Sequence, residues 1–339
     1  MAPNTNERTC PRPAVHEGFV RQTRLVLTRA VLATLAVLAA LAVLVGAAPV
    51  HSSSASSCAP PGDHTETAWP VVQHKPDGTP VARTYRAHVP PDPGGALVLD
   101  LHGALSDKDE QDARSGMRAK ADAEGFVVIQ PDSAPHWTTS PADEAARGVS
   151  DIEFLRALID IAVRHLCVDP DAVHAVGFSS GGLMATQLAC AGAQGRLGGV
   201  RLAGIGLVAA APLPDATGRA CPALRAHPVP MRLVFSHNDH VLAHCCGGDL
   251  AAMTAGVRIM AGVWADDNGC AGKQVATATG HTGWGVLAVQ VHYHCSHPGE
   301  VVIDQLDTGS PGRDGHFWPG PPSGAAFDAT RAFWSFFTG

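Results

Sequence analysis

The stretch Ala172-Val173-His174-Ala175-Val176-Gly177-Phe178-Ser179-Ser180-Gly181-Gly182 decides how this chain folds. Its apolar first half reads as a short strand. Leu183, Met184, Gln187 and Leu188 behind it suit an amphipathic helix, and the glycines between mark a tight turn. A Gly-x-Ser-x-Gly sequence at such a junction puts serine on a strained strand-to-helix turn, where the residues two positions either side must be small so that neighbouring backbone can pass. Gly177 and Gly181 meet that need, which makes Ser179 the candidate nucleophile; a plain glycine-rich turn is the bland alternative.

Outward from the elbow, apolar strand patterns alternate with helical ones. Strands are expected at Ala96–Leu101, Phe126–Gln130, Leu202–Ala210, Met231–Phe235, Val286–His294 and Val301–Leu306, with an antiparallel edge hairpin around Thr84–Val89. Helices are expected at Asp109–Glu124, Asp151–Leu166, Leu250–Ala265 and Phe327–Phe337. This alternation implies an α/β fold with a mostly parallel sheet covered on both faces, in which ligands bind beyond the carboxyl ends of the strands.

A serine hydroxyl needs a base, an acid that orients the base, and donors for the oxyanion. In elbow proteins the order is serine, acid, histidine. Of 18 histidines, His316 sits in Asp314-Gly315-His316-Phe317-Trp318-Pro319-Gly320, a loop between the last strand and the last helix, and is the candidate base. Asp239 follows the strand Met231–Phe235 and is the candidate acid, with Asp249, Asp266, Asp267, Asp304 and Asp307 as rivals that read as helix-start, helix-end or strand residues. The backbone N–H of Ser180 is the first expected oxyanion donor. The second belongs to the loop Leu101-His102-Gly103-Ala104-Leu105, at Ala104 with Leu105 next.

The 339 residues, 45% of them hydrophobic, suffice for one full domain, and the formal charge of −7 argues against an electrostatic nucleic-acid surface. Residues 1–55 contain Arg21, Arg24 and Arg29 before a run that is uncharged from Ala30 to Ala48: the pattern of a signal peptide or an uncleaved N-terminal membrane anchor. Cleavage fits after Ser53-Ser54-Ala55 or, less well because of Pro49, after Gly46-Ala47-Ala48. Residues 56–68 read as a Ser/Pro-rich linker and 69–339 as the catalytic domain. Cys10 precedes the apolar run; the eight later cysteines favour disulfides in an exported chain, with buried free thiols as the alternative.

Six segments carry a family resemblance: LHGAL (101–105), VVIQPD (127–132) with Trp137, DIEFLRALID (151–160), CVDPDAVHAVGFSSGGLMATQLAC (167–190), DNGC (267–270) and GHFWPG (315–320). Together they resemble the secreted poly(3-hydroxyalkanoate) depolymerase and feruloyl esterase group of the α/β-hydrolases. The resemblance implies an α/β-hydrolase fold, Ser179, Asp239 and His316 as the triad, Ala104 and Ser180 as oxyanion donors, no cofactor, and a small or polymeric ester as substrate. It departs at the acid, where Phe235-Ser236-His237-Asn238-Asp239 lacks the usual glycine, and at Ala104, where cysteine is common. It also supports a Cys270–Cys295 disulfide; Cys190–Cys221 brackets a comparable segment. Cys58, Cys167, Cys245 and Cys246 stay unassigned.

Two readings of other classes compete. His237, His240, His244, Cys245 and Cys246, and His292, His294, Cys295 and His297, look like metal-ligand clusters of an exported metal-binding protein, although 18 scattered histidines produce such clusters readily. A non-catalytic binding protein on a hydrolase fold is the other, against which Ser179 and His316 weigh. The membrane enters these expectations only through the N-terminal segment.

Overall fold

The computed structural model describes residues 58–133, 135–213, 217–244, 246–277, 283–295, 299–308 and 315–339. The N-terminal segment, Cys245 and His297 lie outside the described residues. The chain begins with β1 (Gly62–Thr65), β2 (Val71–His74), β3 (Pro80–Arg83), β4 (Tyr85–Val89) and β5 (Leu97–Leu101). Helices α1 (Lys108–Ser115) and α2 (Met117–Glu124) lead to β6 (Val127–Pro131), then α3 (Pro141–Arg147) and α4 (Asp151–His165). The centre of the chain is β7 (Val173–Phe178), α5 (Ser180–Ala193), β8 (Gly204–Val208) and β9 (Met231–Ser236). It closes with α6 (His240–His244), α7 (Leu250–Asp267), β10 (Lys273–Thr277), β11 (Val286–Tyr293), β12 (Val301–Asp307) and α8 (Ala329–Thr338).

Ten of these strands form one sheet in the order β1-β4-β6-β5-β7-β8-β9-β12-β11-β10. The six from β6 to β12 run parallel, and antiparallel strands close both edges. Every residue of β5, β7 and β8 is buried, as a parallel sheet covered on both faces requires of its central strands. Leu99, Ala175, Ile205 and Leu233 belong to one large core, while Val98, Val176, Val208 and Val234 face a smaller one that α8 seals with Phe333. His174 on β7 is a core residue: it stacks on Phe337 of α8, and burial pushes its pKa down to about 4.

Three expectations change. Of the segment 56–68, read as a linker, residues 58–68 belong to the folded body, because β1 pairs with β4, the Ala59 N–H donates to the His165 carbonyl and Cys58 is bonded to Cys167. Four-residue strands are too short to leave a periodic signal. The hairpin is β2–β3, a two-stranded sheet of its own, whereas the expected hairpin strand β4 lies in the large sheet between β1 and β6. The single helix Asp109–Glu124 is two helices, broken at Gly116, which takes the left-handed φ of 61°. The break frees the Ser115 carbonyl to accept from the Thr330 hydroxyl of α8 at 2.7 Å.

Cysteines pair as Cys190–Cys221 and Cys270–Cys295, and the left-over Cys58 and Cys167 form a third bridge. That third bridge spans 109 residues, against 31 and 25 for the others. On chain-entropy grounds its loss costs most, about 4 to 5 kcal/mol. Urea unfolding of Cys58→Ser/Cys167→Ser is expected to show a larger drop in stability than either other double variant.

Candidate active site

Ser179 lies between β7 and α5 with φ 53° and ψ −118°, a conformation that L-residues avoid and that a strand-to-helix elbow imposes. Its N–H donates to the Val208 carbonyl of the neighbouring strand, which holds the elbow from one side. The glycines around it are set by close approach rather than by turn angle. A Cβ on Gly177 would lie 2.2 Å from the Gly181 carbonyl carbon, and one on Gly181 would lie 2.3 Å from the Leu101 carbonyl oxygen at the end of β5. Gly182 would meet the Ala210 side chain at 2.6 Å.

The parallel register sets Leu101 beside Gly177, so the loop after β5 starts against the elbow. There the Leu105 N–H donates to the Pro135 carbonyl at 2.7 Å and is committed. Leu105 has φ 57° and an exposed side chain. Gly103 packs against Phe178, which a Cβ would meet at 2.9 Å.

Asp239 is fully buried just after β9, at the start of α6. Its Oδ1 accepts the Leu242 N–H at 2.8 Å, and its Oδ2 lies 2.9 Å from His316 Nδ1. Since a carboxylate only accepts, this Nδ1 carries the proton, and in the neutral ring the lone pair lies on Nε2. Gly315 makes the meeting possible, because a Cβ there would lie 2.7 Å from the Asp239 backbone nitrogen. Two residues past His316, buried Trp318 donates its indole N–H to the Thr330 hydroxyl, which anchors the base loop to α8. The imidazole rests against Phe178, with ring centroids 4.9 Å apart. The structure therefore brings Asp239 to His316 and His316 to the residue next to Ser179.

The rival carboxylates are engaged elsewhere. Asp304 is buried in β12 between Arg232 Nε and Gln290 Nε2, both at 2.6 Å. Asp267 accepts the Cys221 N–H and pairs with Arg219, and Asp249 caps α7. Asp266 is exposed, and half-exposed Asp307 lies 3.9 Å from His237 Nδ1. Among the described residues, no group of three or more His, Cys, Asp or Glu could hold a metal ion. His292 pairs with Gln290 at 2.7 Å, and Cys295 is in its disulfide.

A buried polar layer lies behind these residues that no spacing in the sequence reveals. Burial pushes Asp100 of β5 up to about 6, against the pull of three donors: Gln130 Nε2, the Ser115 hydroxyl and Gln111 Nε2, all within 2.9 Å. It ties α1 to β5 and β6, and Arg114 of α1 then lies over the Phe178 ring at 4.6 Å. A paired carboxylate at the start of α4, Asp151, holds the chain after β6. Burial works to raise its pKa, but Arg83 at 2.6 Å and the donors Thr138 N–H and Ser133 hydroxyl hold it below the usual range. Gln111, Ser133 and Thr138 form no motif; a sequence signal exists only for Asp151, as the acidic first residue of an amphipathic helix.

No protein-family model matches the chain. NocK of Nocardia uniformis subsp. tsuyamanensis, a protein assigned as an esterase, is 37% identical over 138 residues, 38% of this chain and 39% of that protein. A bifunctional acetylxylan esterase/xylanase of Neocallimastix patriciarum is 31% identical over 91 residues, 27% of this chain and 13% of that one. The chain thus spans well under half the length of the curated relatives it matches. In structure it is similar to an acetyl xylan esterase from Aspergillus awamori, with a TM-score of 0.50 at 14% identity over 76% of this chain and 94% of that one.

The raised Asp100 has a stability consequence. Its carboxyl binds a proton more tightly in the folded chain than in the unfolded one, where the pKa is near 4. The folded state therefore loses ground as pH rises from about 4 to about 6, by on the order of 3 kcal/mol. Denaturant unfolding across that window is expected to show the fall in wild type and a flatter profile in Asp100→Asn. With its six-stranded parallel centre, flanking helices and serine elbow, and with this structural relative, the chain has the α/β-hydrolase fold.

Proposed function

We propose that the chain is a serine-dependent carboxylic ester hydrolase with Ser179 as nucleophile, His316 as base and Asp239 as the acid that orients it. The observation that carries this reading is the Asp239–His316 hydrogen bond, formed beyond the carboxyl ends of the strands and against the residue next to a strained serine. Ser179 Oγ forms the bond to the ester carbonyl carbon while His316 Nε2 takes its proton. The tetrahedral oxyanion is met by the N–H groups of Ser180 and Ala104, Leu105 being committed to Pro135. Collapse breaks the bond to the alcohol, which leaves with the proton from His316. Water then attacks the acyl-enzyme with His316 again as base, and releases the acid.

For the substrate, we read a polyhydroxyalkanoate-type polyester oligomer or a feruloyl-type ester from the six motifs. Acetyl esters of xylan are the second reading, favoured by the names of two of the similar proteins. We place the catalytic domain outside the cytoplasm, secreted or anchored through its N-terminal segment; three disulfides support an oxidising compartment. Among the described residues no helix is long and apolar enough to cross a membrane.

Ser179→Ala is expected to fold normally and to lose about 10⁶ in turnover, the scale known for removal of a serine nucleophile. Asp239→Asn presents an amide to His316 Nδ1, favours the wrong tautomer and no longer stabilises the imidazolium, for a loss of about 10⁴. Asp304→Asn leaves Arg232 without its buried partner and is expected to cost stability while retaining turnover. Initial rates on hydroxybutyrate oligomers, feruloyl esters, acetylated xylan and short-chain nitrophenyl esters test the whole reading. Normal turnover by Ser179→Ala would reject it, and full activity of Asp239→Asn beside a dead Asp304→Asn would redraw the triad.

A further inference from the structure

The loop expected to supply the second oxyanion donor is held by a side chain that the reaction itself does not use. His102, the first residue after β5, is fully buried and uses both ring nitrogens. Its Nε2 lies 2.9 Å from the Ser133 backbone nitrogen, and its Nδ1 lies 2.7 Å from the carbonyl oxygen of Gly103. The Ser133 N–H can only donate and the Gly103 carbonyl can only accept. The two contacts together assign the neutral ring with its proton on Nδ1. A second proton at Nε2 would point at the Ser133 N–H, and burial acts in the same direction by holding the His102 pKa below its ordinary value.

The direction of the Gly103 carbonyl matters because of what shares its peptide plane. In a trans peptide, the C=O of one residue and the N–H of the next point opposite ways. A ring that draws the Gly103 oxygen to itself therefore turns the Ala104 N–H away from the ring. The adjoining planes are held too: the Trp137 indole N–H donates to the His102 carbonyl at 2.8 Å, and the Leu105 N–H donates to the Pro135 carbonyl. Gly103 leaves no slack, since it already packs on Phe178 of the elbow.

The anchor behind His102 is itself rigid. The Ser133 hydroxyl donates to Asp151 Oδ2 at 2.8 Å and accepts from Arg147, and the Thr138 N–H donates to the same carboxylate oxygen at 2.7 Å. Asp151 Oδ1 takes Arg83 at 2.6 Å, and the Thr138 hydroxyl accepts the Asp151 N–H. Residues on β3 and in the chain after β6 thus converge on the Asp151 carboxylate of α4, and through Ser133 this cluster reaches the His102 imidazole.

We propose that His102 is a positioning residue which, fixed by Ser133 and Asp151, sets the Gly103–Ala104 peptide so that the Ala104 N–H meets the oxyanion. The role rests on the ester-hydrolase reading and deepens it. It also separates the two ring nitrogens: the Nδ1 bond sets the peptide, and the Nε2 bond sets the ring.

Asparagine and glutamine tell the two apart, since the amide of Asn reaches where Nδ1 is and that of Gln reaches where Nε2 is. With an ester that the wild type hydrolyses, His102→Gln is expected to lose about 10² to 10³ in kcat, the scale of one oxyanion donor, with KM changed less than about threefold. His102→Asn keeps the donor to Gly103 and is expected to stay within about tenfold of wild type. Affinity for a trifluoromethyl ketone, whose serine adduct carries the oxyanion, should fall in His102→Gln by the same factor as kcat/KM. A merely structural residue would not move these quantities together. If His102→Gln keeps wild-type kcat, or loses only KM, the positioning role is overturned while the ester-hydrolase reading stands; a wild type that hydrolyses no ester overturns both. Should His102→Gln fail to fold by circular dichroism, Trp137→Phe, which removes the indole N–H held by the His102 carbonyl together with part of the buried ring, serves instead. It is expected to lose about tenfold in kcat at unchanged KM, and an unchanged kcat there overturns the proposal.

Discussion

A carbonyl oxygen at the end of β5 occupies the space where a side chain on Gly181 would begin, and the candidate site is built around that contact. It brings the first turn of α5 against the end of the neighbouring parallel strand, so that the elbow serine and the loop after β5 share one small volume. Gly177, Gly181 and Gly182 are each required by a backbone or methyl neighbour closer than any Cβ tolerates. None of the three has a positive φ, so the constraint is steric crowding between elements and not a local turn preference. The strained φ of Ser179 follows from it: a chain turning from strand to helix over such tight contacts has no relaxed path.

Around the elbow, the elements that hold reactive groups are themselves held by buried polar chains. Three carboxylates without solvent exposure, Asp100, Asp151 and Asp239, each collect donors from different elements. Leaving such a group unpaired inside a protein costs far more than one hydrogen bond contributes, so each carboxylate enforces the position of every donor it requires. Asp100 does this for α1, Asp151 for the chain after β6, and Asp239 for His316. Orientation of the loops is therefore specified by polar pairing, while apolar burial specifies the sheet beneath them.

Sequence likeness and structural likeness cover different shares of the chain. Sequence similarity to proteins assigned as esterases covers about a third of the chain, whereas the structural likeness extends over three quarters of it at 14% identity. Packing a parallel sheet between helices demands only apolar residues of suitable size, which many sequences supply. The polar chains around the elbow demand particular residues.

Much of the fold was legible in the sequence, because the strands buried on both faces must be continuous apolar runs and their helices must be amphipathic. Ser179 could be singled out because the elbow places residue types at fixed offsets along the chain, and so local steric rules apply. His316 and Asp239 could be placed only as candidates on strand-end loops: 77 positions separate them, and only the parallel order β9–β12 brings their loops together. Edge strands of four residues, such as β1, lie below the length at which periodicity speaks, and the break at left-handed Gly116 is used by Ser115 to reach Asp100 and Thr330 in other elements. The partnership of His102 with Ser133, 31 positions away, leaves no trace in spacing. Sequence determined what is local or periodic, and tertiary structure decided which buried polar groups meet, because those meetings depend on strand order and on the cost of leaving any of them unpaired.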